Sequence, residues 1–156
     1  MKHIRRVLYI LLPIVLLVGV ARVYLLLRPI PALMERAGLS LSCIRGICAT
    51  DRFTDGLNYK DGYDYAVLQV DPDAFTPPEG WTHGTATLRQ INTATSGHHF
   101  CSDFSNDPAL PATFTDWVYI PHNDADDFAQ RAWFAAMYDA DSGILALYCG
   151  HDLWGF

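Results

Sequence analysis

Positive charge is scarce in most of this chain. Of its eleven Lys and Arg residues, only Arg52, Lys60, Arg89 and Arg131 lie beyond residue 49, where sixteen carboxylates face them. A surface of that sign repels phosphate backbones and argues against DNA or RNA as a partner. It favours cations or a basic protein partner instead. Recognisable signatures are equally scarce. There is no internal repeat and no low-complexity tract. The EF-hand pattern fails at both acidic stretches: Asp139-x-Asp141-Ser142 has its glycine one position early and no closing Glu, and Asn123–Asp127 has no glycine. No cysteine directly follows the apolar run near the start, so a lipoprotein anchor is not indicated. Nothing in the residues calls for a cofactor.

That apolar run is the strongest positive feature. Val7 to Leu27 is twenty-one residues with Arg22 as its only charge. As a helix it would extend about 31 Å, the thickness of a hydrocarbon core. Pro13 inside it is compatible with a lipid-embedded helix. Lys2, Arg5 and Arg6 precede it and favour a cytoplasmic N-terminus. A cleaved signal peptide ending near Gly19-Val20-Ala21 is the rival reading. It would leave Val23-Tyr24-Leu25-Leu26-Leu27 as a greasy new terminus, so an uncleaved signal anchor is the expectation. The organisation expected is a single-pass anchor over residues 1–28, a juxtamembrane linker with a short helix over 29–50, and an acidic extracytoplasmic domain over 51–156.

In the linker, Pro31 can open a helix at Ala32–Ala37 that Gly38 closes. Beyond Asp51, strand formers fill Tyr63–Val70, with Tyr63, Tyr65 and Val67 on one face. Phe114–Ile120 reads as a strand stopped by Pro121. Trp133–Tyr138 and Ile144–Cys149 read as a β-hairpin around the loop Asp139–Gly143. Gly84–Asn92 carries both strand and helix signals and is read as strand. Trp81, after the rigid loop Thr76–Gly80, is expected to cap the core. Ser96–Thr113 reads as loop, and Asn123–Asp127 as a helix start. The fold class expected is α+β or mostly β, with one N-terminal transmembrane helix and a small domain built on an antiparallel sheet.

Four cysteines, Cys43, Cys48, Cys101 and Cys149, are disulfide candidates in an oxidising compartment. Cys43 and Cys48 could close a small loop through Gly46. Cys101 and Cys149 could close a long one. His99 lies two residues from Cys101, and His151 two from Cys149, so the same four side chains could instead form a Cys2His2 zinc site. A Cys–His nucleophile pair, Cys101 with His98 or His122, lacks any family signature. The aromatics are expected in the core. A group left exposed would mark a binding face, for which Trp81, Trp154 and Phe156 are candidates.

The functional expectation is a membrane-anchored extracytoplasmic binding or accessory module, more plausibly not an enzyme. The alternatives are a zinc-dependent hydrolase and an immunity-type protein that neutralises a basic toxin. The partners expected are the membrane and a basic protein.

Overall fold

A computed structural model describes residues 2–54, 62–94, 107–120 and 132–151. Side chains at 2–10, 25, 26, 52–54, 132 and 151 are not described. Helix α1 (Lys2–Leu27) contains Pro13 and is long and apolar enough to cross a membrane. Its described side chains are exposed.

The Arg28–Pro31 segment does not end the helical path. Arg28 has helical dihedrals, and its N–H donates to the Tyr24 carbonyl at 3.0 Å. Helix α2 (Pro29–Arg36) therefore follows α1 without a spacer. Its two prolines occupy the first turn, where a missing N–H costs nothing. Gly38, at φ 72°, ends α2. The Gly38 N–H donates to the Glu35 carbonyl and the Leu39 N–H to the Met34 carbonyl, the paired bonds of a left-handed helix terminus.

The domain is α+β, with a six-stranded antiparallel sheet. Its strands are β1 (Ile44–Thr54), β2 (Gly62–Val70), β3 (Thr82–Ala86), β4 (Phe114–Ile120), β5 (Ala132–Asp139) and β6 (Ile144–His151). The spatial order is β1-β2-β6-β5-β4-β3. Hairpin β1–β2 and the meander β3–β6 are joined where β6 pairs with β2, in register from Gly62–His151 to Gln69–Ile144. Helix α3 (Leu88–Ala94) lies in the connection between β3 and β4.

The central strands alternate between two covered faces, which explains their nearly unbroken apolar runs. On the first face, Ala66, Leu68, Val70, Phe134, Ala136, Tyr138, Leu145 and Leu147 pack beneath Ile30, Leu33, Met34 and Ala37 from α2 and its cap. Phe75 and Trp81 complete that layer. On the second face, Tyr65, Val67, Ala135, Met137, Ala146 and Tyr148 pack with Ile91 of α3 and Phe114. Each fully buried aliphatic side chain contributes about 1.5–3 kcal/mol, so α2 is a structural member of the domain. Residues 29–50, read from sequence as a juxtamembrane linker with a short helix, hold α2 and the first part of β1.

Two local readings differ from the structure. Gly84–Asn92 divides into the end of β3 and the start of α3. The Cys43–Cys48 loop is not formed, and both thiols are free. Cys43 ends a short 3-10 turn and Cys48 lies in β1. Five residues of extended chain span roughly 16 Å, far beyond the Cα separation a disulfide allows.

Candidate functional site

Among the described residues, a concave feature lies on the second face, between α3 and the segment leading into β4. It is a cavity of about 490 Å³. Thr87, Arg89, Asn92 and Asp107 supply its polar lining; Leu88, Leu110, Pro111, Ala112 and Phe114 supply the apolar part.

Local chemistry fixes both walls. Thr87 caps α3: its Oγ1 accepts from the Gln90 N–H at 3.3 Å, while the Thr87 N–H donates to Gln90 Oε1 at 2.8 Å. This reciprocal pair satisfies two backbone donors left open by the first turn. Opposite, Asp107 Oδ1 accepts from the Ala109 N–H at 2.8 Å, and the Leu110 N–H donates to the Asp107 carbonyl at 3.0 Å. That Asx turn holds the carboxylate in place. Burial pushes the Tyr65 phenol up, and the neighbouring Asp107 adds to the shift through its charge and a hydrogen bond.

Arg89 is exposed and Asp107 half-buried. The cavity therefore presents one guanidinium, one carboxylate and one carboxamide above an apolar floor made by Phe114. Such a lining can hold a small polar group or a partner's side chain, with opposite charges fixing its orientation. Among the described residues, its lining holds no histidine or cysteine.

No known family model matches this chain. No curated protein and no solved structure matches it significantly either. The functional reading therefore rests on the residues themselves.

His98, His99, Cys101, His122, Trp154, Phe156 and the stretch Asn123–Asp127 lie outside the described residues. His151 ends β6, paired with Gly62 and Ala132, and its side chain is not described. Cys149 is buried on the first face, where Arg36 Nη1 donates to its sulfur at 3.3 Å. Burial pushes the Cys149 thiol up, Arg36 pulls it down, and Asp64 adds to the rise. A guanidinium against the sulfur is an unfavourable neighbour for a dication. Among the described residues, no group of three or more His, Cys, Asp or Glu is placed to hold a metal.

Trp81 is not a binding-face residue. It is 6% exposed and meets Phe75 edge-on, with ring centroids 6.2 Å apart. Asp139 works as a turn residue: its Oδ2 accepts from the Ser142 N–H at 3.0 Å.

Two constellations were not foreseen. His83 Nδ1 lies 2.5 Å from Asp116 Oδ1, and Thr115 donates to Asp116 Oδ2 at 2.7 Å. The imidazole is 71% exposed on the edge strand β3 and does not line the cavity. The second is an aromatic row across the second face, formed by Tyr119, Trp133, Tyr148 and Tyr63. Successive ring centroids are 6.3, 4.6 and 5.5 Å apart. Tyr63 Oη donates to Asp51 Oδ2 at 2.9 Å, extending the row to β1. A period-two reading of adjacent strands could have placed these rings on one face, but not their strand order.

Proposed function

We propose that this protein is a membrane-anchored, non-enzymatic binding or accessory module whose acidic domain works on the extracytoplasmic side. The passage of α1 through a helical Arg28 into a core helix carries this reading. A leader destined for removal would have no need to run straight into the element that covers the sheet. Lys2, Arg5 and Arg6 before the span support a cytoplasmic N-terminus. The cavity between α3 and Asp107 is the surface offered to a partner, and the excess of carboxylates favours a basic one.

Two measurements test the reading. A Thr85→Cys variant, exposed on β3, reacts with a membrane-impermeant maleimide in intact cells if the domain faces outward. Protection until lysis overturns the topology. The full chain in detergent should bind a lysine-rich peptide with an affinity that falls as salt rises. Salt-independent binding overturns the electrostatic part.

A further inference from the structure

We propose that the open edge of β1 is the face on which the domain rests, in contact with lipid headgroups. This rests on the reading of α1 as a membrane span. Leu27 ends α1, and Ile30 is already 5% exposed in the domain core. Two intervening residues in helical geometry advance the chain by only a few ångströms. No stalk lifts the domain away from the bilayer, so the part nearest α1 must meet the headgroups.

That part is β1, which α1 touches. From there α2 crosses the first face towards β6, where Arg36 reaches Cys149. The opposite edge, β3, lies five strand spacings away, about 24 Å. The sheet thus runs outward from the membrane, with the cavity beside α3 towards its distal side.

The composition of the β1 edge suits an interface. Ile47 is paired in register with Leu68 and so projects on the α2 side, yet it is 47% exposed. Leu41, three residues before β1, is 50% exposed. Arg28 lies at the junction of α1 and α2, in the region where basic residues outnumber acids, and Arg45, on β1, keeps 58% of its side chain exposed beside its partner Asp71. Apolar side chains beside cations fit the headgroup boundary, where apolar groups enter the acyl margin and cations meet phosphate. The edge itself supplies the second reason. β1 has eleven residues, against five in β3. Among the described residues nothing pairs with the outer edge of β1, and a long open edge offers backbone groups that template pairing with another chain. Lipid phosphates and interfacial water can satisfy those donors and keep other strands away.

The native thiol of Cys48, exposed on β1, makes the test direct. The full chain carrying Cys101→Ser is reconstituted in vesicles of equal parts phosphatidylcholine and phosphatidylglycerol, and Cys48 is labelled with a small fluorophore. Nitroxide attached to the lipid headgroup should quench this label several-fold more than the same label on a Thr85→Cys, Cys48→Ser chain. Ile47→Asp should reduce quenching at Cys48 and leave the distal site unchanged. Equal, weak quenching at both sites overturns the proposal. So does rapid Cys48–Cys48 disulfide formation on mild oxidation, which would assign the edge to a second copy of the chain. Alkaline carbonate extraction separates this failure from that of the anchor. A chain that stays in the membrane with an unquenched Cys48 loses only the headgroup contact, whereas a released chain loses the span as well.

Discussion

The indole of Trp133 occupies the space in which a side chain on Gly150 would stand. The two residues are register partners on β5 and β6, and a Cβ at 150 would collide with the ring. Trp133 also stacks on Tyr148, so the collision would spread through the aromatic row. Gly150→Ala should destabilise the domain by about 1–3 kcal/mol through overpacking. It should also alter near-ultraviolet circular dichroism. Denaturant midpoints and spectra for the two proteins check this, and an unchanged midpoint would refute the packing.

Met34 tests whether α2 belongs to the domain. It is fully buried against the first face. Met34→Ala should cost about 2–5 kcal/mol, while Ala32→Ser, on the exposed side of α2, should cost far less. Thermal unfolding in detergent reads the difference. Equal small losses would show that α2 contributes little to the core.

The three described thiols should differ in reactivity. Burial raises Cys43 and Cys149 above the ordinary thiol value, which lowers their thiolate content at neutral pH. Cys48 is exposed. In detergent, maleimide should modify Cys48 well before the other two, and denaturation should remove the difference. Peptide mass mapping over time measures this. Arg36→Met should raise the Cys149 thiol further, because the guanidinium is the group pulling it down.

Thr87 should matter for α3 beyond its size. Thr87→Val removes the oxygen that receives the Gln90 N–H and should cost about 1 kcal/mol. Faster amide exchange over residues 88–91 is the readout. The cavity wall should loosen with it, weakening any peptide bound there.

Asp71 gives a pH dependence of known sign. Its carboxyl is held below the usual aspartate value, chiefly by the hydrogen bond from Arg45 at 2.6 Å. The contribution of this pair is present above the ordinary aspartate pKa and fades as pH falls through the lowered one. Carbon-detected titration should show a midpoint for Asp71 below that of a free aspartate, and Arg45→Ala should move it upward.

Much of the sheet was legible because its strands obey simple local rules. Phe114–Ile120 was bounded by a proline and matches β4, and the β5–β6 hairpin closes through Gly143 at a positive φ of 66°. Gly38 marked the end of α2 for the same reason. β1 was hidden because its register shifts between Ile44 and Gly46 and again between Ile47 and Ala49. Those irregularities destroy the period-two alternation, and the paired cysteines suggested a loop instead. α3 was hidden although its signal was present: Thr87-Leu88-Arg89-Gln90 has the spacing of a capping box. The cavity had no local signal. Its walls, near residues 87–92 and 107–114, come together only because β3 pairs with β4. The union of β2 with β6 is likewise non-local and could not be read from either strand alone.

The helical Arg28 has a mechanical consequence. If α1 spans a bilayer as proposed, the sheet would follow the rod: rotation of the helix would turn the platform, and tilt would incline it. A partner would therefore encounter one fixed aspect of the molecule during lateral diffusion. Local bilayer thickness, by setting the rod's inclination, would become a control on which partners can reach it.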